Sequence, residues 1–140
     1  MQASLTPVSR EYAAARNMLR ANAAVWTPAF WTSLAHARAA QRRGAMQKLR
    51  ELAPLVALVG SESPRVVVEI GTAGGGTFYA WCRAAAPDAT IVSIDLPGGP
   101  FGGADGPADV TTLSRYGRPA QALHFLRADS HDQETRARLD

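Results

Sequence analysis

The sequence predicts an α/β fold: three parallel strands within residues 61–140, preceded by a helical segment over residues 1–60. Two observations carry this expectation. The first is Val66-Val67-Val68-Glu69-Ile70 running directly into Gly71-Thr72-Ala73-Gly74-Gly75-Gly76. β-Branched residues favour strands, and a run without polar alternation reads as a strand buried on both faces of a parallel sheet. Glycine has no Cβ, so the backbone after the run can turn sharply and approach a ligand closely. Phe78, Trp81, Cys82 and Ala85 then recur at helical spacing. Strand, tight turn and helix together form the opening unit of a cofactor-binding α/β domain. The second observation is that Thr90–Asp95 and Ala122–Arg127 also read as strands, and each has an acid at or just past its end, Asp95 and Asp129.

The elements follow in order. Ser9 is placed to cap a helix over about residues 10–22, with Tyr12, Ala15, Met18 and Leu19 on one face. Thr27-Pro28 marks a second start, a capping hydroxyl before Pro at the first helical position. Trp31, Leu34 and Ala35 form a short apolar stripe there, and Gly44 interrupts it. Met46, Leu49, Leu52, Val56 and Val59 resume helical spacing. Pro54 should kink or restart that helix, and Gly60 suits its end. Packing is the expected role of Trp26 and Trp31. Ser61-Glu62-Ser63-Pro64 is a turn before the first strand, and Pro87-Asp88 closes the helix after the glycines. Leu96 to Pro107 holds five glycines and three prolines and cannot be a regular element. A short helix over about 108–116 precedes a break at Gly117-Arg118-Pro119. After the third strand, Ser130 and Gln133 have capping-box spacing.

Composition narrows the function classes. Residues 1–60 carry Lys48 and seven arginines against Glu11 and Glu51, whereas residues 61–140 carry seven arginines against ten acids. The basic first segment reads as a solvated helical surface rather than a nucleic-acid-binding face. Arginine outnumbers lysine fourteen to one, which points to compositional bias. Cys82 is the single cysteine, so no intramolecular disulfide forms, and its apolar helical face predicts an inert thiol. No apolar run approaches the ~20 residues of a membrane span, and no secretory signal is evident. The expected setting is cytoplasmic.

Metal and nucleophile motifs are missing: there is no Cys pair, no His-Glu-x-x-His and no Gly-x-Ser-x-Gly. His36 and His124 read as structural residues, and His131 lies beside a strand end. What remains is the row of acids. Ligands of open α/β sheets bind at the carboxyl ends of the strands, where Glu69, Asp95 and Asp129 fall. Gly71-x-Ala73-x-x-Gly76 is a near miss of the dinucleotide fingerprint, and Asp95 lies 20 residues after Gly75, the spacing of an acid that reaches ribose hydroxyls. Charge separates the candidate ligands. A pyrophosphate wants backbone amides without a carboxylate nearby. Here Glu69 sits two residues before the first glycine, and no Lys or Arg occurs from Gly71 to Tyr79. An acid-rimmed site suits a ligand carrying ammonium and sulfonium charges.

Glu69-x-Gly71-x-Ala73-x-Gly75 resembles the glycine-rich motif of class I S-adenosylmethionine (SAM) dependent methyltransferases, over roughly residues 64–140. Asp95-Leu96-Pro97-Gly98-Gly99, Phe101-Gly102-Gly103 and Arg127-Ala128-Asp129-Ser130-His131-Asp132 resemble more narrowly the cephalosporin hydroxylase-type and sugar O-methyltransferases. The resemblance implies a Rossmann-like fold, SAM as cofactor and a small-molecule acceptor. It implies that Glu69 and the loop Gly71, Thr72, Ala73, Gly74, Gly75 hold the methionine end. Asp95, with Leu96 beside it, would meet the ribose, and Asp129 with Ser130 the adenine. Alanine at 73 fits this loop if its φ stays negative.

The family's sheet has seven strands in the order 3-2-1-4-5-7-6, and this sequence supplies three. The strand at Val66–Ile70 would then be an exposed apolar edge, open to pairing with a further segment or a second copy. The expectation is the first half of such a domain, truncated after its third strand. Catalytic groups and metal ligands cannot be assigned from it. Alternatives are an NAD(P)-dependent oxidoreductase and a non-catalytic binding or assembly module.

Overall fold

The computed structural model describes residues 28–98 and 109–139. The expected helix over 10–22, Trp26, the capping Thr27 and most of the Gly/Pro-rich loop lie outside these residues. Two helices come first, α1 (Pro28–Gln41) and α2 (Leu49–Glu62). Then follow β1 (Val66–Ile70), α3 (Gly76–Ala84), β2 (Thr90–Asp95), α4 (Val110–Ser114), β3 (Ala122–Arg127) and α5 (Gln133–Ala137). The strands form one parallel sheet in the order β1-β2-β3. The architecture is therefore α/β with a three-stranded parallel sheet.

Register fixes what each sheet face carries. Val67 and Glu69 lie opposite Ile91 and Ser93, which lie opposite Leu123 and Phe125. This face packs under α3 and α4, where Phe78, Cys82, Ile91 and Leu113 are fully buried. Phe78 meets Phe125 with ring centroids 5.5 Å apart. The other face carries a second cluster of Val92, Ile94 and Leu126. β2 is the central strand, and Ile91 to Ile94 are buried throughout.

β1 departs from the expectation of burial on both faces. Val66, Val68 and Ile70 are 64%, 46% and 66% exposed. Among the described residues β1 pairs only with β2, so it is a sheet edge. Its inward residues, Val67 and Glu69, are the covered ones. The continuous apolar run reports composition, while burial depends on neighbours that β1 has on one side only.

α1 and α2 pack on each other and on the outer side of α3. Their shared core joins Ala37 and Ala40, Leu52, Ala53 and Val56, and Ala80 and Ala84. The buried row on α1 is Ser33, Ala37 and Ala40, and of the expected Trp31-Leu34-Ala35 stripe only Leu34 packs against this cluster. Small side chains at i, i+4 and i+7 let the helix axes approach, which a tryptophan there would prevent. Trp31 is instead half exposed and meets Phe30 edge-on at 6.1 Å.

α2 runs through Pro54 as one helix, where a kink or restart was expected. Pro54 is the sixth helical residue and faces solvent, so one ladder bond, to the Arg50 carbonyl, is forgone. The helix also passes Gly60 and ends at Glu62. Its cap is Ser63, left-handed at φ 46°, with its N–H on the Val59 carbonyl. The expected capping box at Ser130 is replaced as well. A turn from Asp129 to Asp132 intervenes, so Asp132 is the N-cap and Gln133 the first helical residue. Cys82 is fully buried, and burial pushes its thiol up to about 12, as an inert core cysteine requires. No helix among the described residues is long and apolar enough to cross a membrane.

Candidate functional site

The parallel strands bring their carboxyl ends to one edge, and β1 releases the chain there into the glycine turn. Gly71 N–H donates to the Ile94 carbonyl at 2.9 Å, tying the turn to β2. Gly75 N–H then donates back to the Thr72 carbonyl at 2.8 Å. Gly71 and Gly75 have φ of 81° and 78°, values open to glycine at little cost. Ala73 is also left-handed, at φ 45°, so the condition on which alanine fits the family's loop, a negative φ, is not met. The cause is Asp95. Its Oδ2 accepts the Ala73 N–H at 3.0 Å and its Oδ1 the Leu96 N–H at 2.9 Å. The carboxylate clips the turn to β2, and the alanine backbone adopts what the clip demands. A left-handed L-residue costs roughly 1–2 kcal/mol, partly offset because alanine restricts the unfolded chain more than glycine. Ala73→Gly is therefore expected to raise unfolding free energy by about 0.5–1 kcal/mol in urea titration. A loss of stability would contradict the strained geometry.

A polar layer lies beneath the turn. The Thr72 hydroxyl is hydrogen-bonded to the fully buried Ser93 hydroxyl. Arg127 reaches the same Ser93 oxygen at 3.5 Å from the end of β3. The turn is backed on its other side by the α1–α2 connection. A Cβ on Gly76 would lie 2.2 Å from Ala45 N and 2.4 Å from the Ala40 carbonyl oxygen. A Cβ on Gly74 would lie 3.3 Å from Gly44 Cα. Arg43, in the same connection, stacks over Tyr79 with its guanidinium carbon 4.1 Å from the ring centroid.

Glu69 is the unusual group. Strand alternation turns it inward beneath α3, and it is 9% exposed. Trp81 Nε1–H donates to its Oε1 at 3.0 Å. Its Oε2 is buried and has no hydrogen-bond partner among the described residues. Burial raises its pKa above the ordinary value, and the Asp95 charge adds to this. The Trp81 N–H and the neighbouring Thr77 and Thr72 hydroxyls pull the other way without cancelling it, although neither hydroxyl meets hydrogen-bond geometry at Oε2. An orphaned carboxylate oxygen in a buried setting is costly, and a cationic or hydroxyl-bearing ligand would relieve it.

Asp129 is placed differently. It is exposed, and its Oδ1 accepts the His131 N–H at 2.8 Å and lies 3.1 Å from the His131 ring Nδ1. The backbone bond to His131 is the main cause of its lowered pKa. Its side chain makes no hydrogen bond or ion pair to Glu69 or Asp95 among the described residues. The link is through backbone, Ala128 N–H to the Asp95 carbonyl at 2.9 Å. Thus Glu69, Gly71 to Gly75, Asp95 and Leu96 come together, and Asp129 with Ser130 stands one strand further along the edge.

No protein-family model, curated protein or solved structure matches this chain. The chemistry of the site rests on its own atoms. Gly75, the N-cap of α3, supplies no side-chain cap to the helix amides. Asp95 uses each oxygen for one amide and keeps lone pairs free. Among the described residues no group of three or more His, Cys, Asp or Glu could hold a metal ion. Sequence reasoning did not foresee Trp81 on Glu69, the Thr72–Ser93–Arg127 layer or the Gly44–Gly74 contact. The glycine at 44, with φ 93°, was the one local sign of a close approach.

Proposed function

We propose that the chain binds S-adenosylmethionine at the carboxyl ends of β1 and β2, as the cofactor-binding part of a methyltransferase acting on a small-molecule acceptor. The observation that supports this best is the buried, unpartnered Oε2 of Glu69 beside the glycine turn. An ammonium group is the ligand feature that would satisfy it. Asp95 presents the acceptor lone pairs that a vicinal diol needs, and Asp129 with Ser130 lies at the next strand end for an adenine edge. Bound SAM would supply an activated methyl group. This chain's residues would orient it by close backbone approach at Gly71 to Gly75 and by charge at Glu69. Alignment of that kind is a large part of what lowers a displacement barrier. A nicotinamide dinucleotide is disfavoured, since its diphosphate would meet the Glu69 carboxylate.

The reading is tested by calorimetry on the 140-residue chain. SAM and S-adenosylhomocysteine are expected to bind and NAD to give no heat. Asp95→Asn should weaken SAM by about tenfold, the cost of one charged hydrogen bond. Failure of either adenosyl compound to bind at about 1 mM would remove the proposal.

A further inference from the structure

A cavity of about 600 Å³ lies between α1, α2 and the C-terminal end of α3. It is a full helix length, roughly 13 Å, from the glycine turn. That volume is typical of small-molecule pockets. Arg83, Arg118 and His36 line it, with no Asp or Glu among the described lining residues. Two acids adjoin lining residues in sequence: Asp88, beside Pro87, is taken by Arg65, and Glu62, between Ser61 and Ser63, is exposed and does not line the cavity. Arg83 and Arg118 each donate one bond to a backbone carbonyl, of Tyr116 and Ala85 respectively. The Nε of each is buried and unpartnered. Neither guanidinium forms an ion pair among the described residues. Arg83 also lies over the Tyr79 ring at 5.4 Å. Two half-buried arginines therefore line one cavity without an ion-pair partner among the described residues, an arrangement that favours an anion.

The rest of the lining narrows the ligand. Ser33, Ser61 and Ser63 direct their hydroxyl protons to the carbonyls of Ala29, Leu58 and Gly60. The arginines are thus the main donors available to a ligand. Burial, and then the charges of Arg83 and Arg118, lower the His36 pKa, which disfavours a third positive charge beside the arginines. Most of the remaining wall is apolar, including Phe30, Val56, Ala57 and Ala84. We propose that this cavity binds a small organic anion, a carboxylate or phosphate carried on an apolar body, at a site separate from the strand ends.

The test is a ¹H–¹⁵N NMR titration of the full chain at low salt with benzoate, phenyl phosphate and inorganic phosphate. Benzoate or phenyl phosphate is expected to shift the Ser33, His36 and Ala57 amides saturably, leaving Gly71 to Gly75 unmoved. The His36 ring pKa should rise as the anion offsets the arginine charges. Arg118→Gln should weaken binding at least about tenfold. Ala57→Leu, which fills space and leaves every charge in place, should abolish it and covers the case in which the arginine variant does not fold. No saturable shift at these amides, or one that survives Ala57→Leu, would overturn the site. Inorganic phosphate binding as tightly as phenyl phosphate would overturn the apolar body. Movement of the glycine-turn amides instead would place the anion at the strand ends and contradict a separate site.

Discussion

Glu69→Gln is expected to stabilise the ligand-free chain at neutral pH and to remove most of its affinity for SAM. The first half follows from burial. Glu69 titrates above its ordinary value of 4.5 because it is desolvated, and one of its oxygens has no partner. Between the unfolded and the raised folded pKa, the folded state holds the proton more tightly than the unfolded state. Stability from this group is therefore complete below the unfolded pKa and falls as pH rises through the folded one. Glutamine keeps an acceptor for Trp81 and abolishes that slope. The gain at pH 8 should be about 1 kcal/mol, because glutamine removes the buried charge but sets its amide nitrogen in the unpartnered position of Oε2. Urea unfolding of both proteins at pH 5 and pH 8 measures it, and the difference should shrink at the lower pH. The second half has the opposite sign. A cationic ligand favours the ionised carboxylate, so SAM affinity of the parent should rise with pH through the same window. Equal stabilities at pH 8 would show that the carboxylate carries no such penalty.

Gly76→Ala is expected to be the most damaging single-methyl addition among the described glycines. The new carbon would fall 2.2 Å from Ala45 N and 2.4 Å from the Ala40 oxygen, both backbone atoms. Those two atoms already bond one another at 3.1 Å, so neither can rotate away. Either α3 or the α1–α2 connection must shift, and with it the glycine turn. Overpacking of this kind costs about 3 kcal/mol, near 10 °C in Tm for a domain of this size. Gly60→Ala is the matched control. Nothing lies within 4 Å of a Cβ there, and Gly60 sits inside α2. Alanine should stabilise that helix by up to about 1 kcal/mol. Thermal unfolding of the pair separates packing from propensity, and a Gly76→Ala protein as stable as the parent would contradict the close approach.

The strands and their order of appearance were legible because β1 and β2 are short, largely β-branched runs, and β3 is a short run built on Leu123, Phe125 and Leu126 between the Gly117-Arg118-Pro119 break and Asp129. Thr90–Asp95 and Ala122–Arg127 fall where the sequence places them. The meeting of the glycine turn with Asp95 was legible too, since parallel strands must present their ends together. Conformation within the turn was not. The φ of Ala73 is set by a carboxylate 22 residues away, and local propensity points the other way. For β1 two expectations differed: the unbroken apolar run suggested burial on both faces, which fails, and the count of three strands an exposed apolar edge, which β1 is among the described residues. The helical segment misled in its large residues. Trp31 drew attention as the packing anchor, while Ser33, Ala37 and Ala40, small enough to hold no pattern, make the contact. Trp81 was read as one position of a helical period, and its bond to Glu69 depends on how α3 lies across β1.

The sealed position of Cys82 gives the molecule an internal clock. With its sulfur wholly covered and the thiol pushed up to about 12, reagent can reach it only when α3 lifts from the sheet. The pace at which that one atom is alkylated is then the pace at which the layer beneath the glycine turn opens. Occupancy of the nearby edge by any tight ligand would slow it.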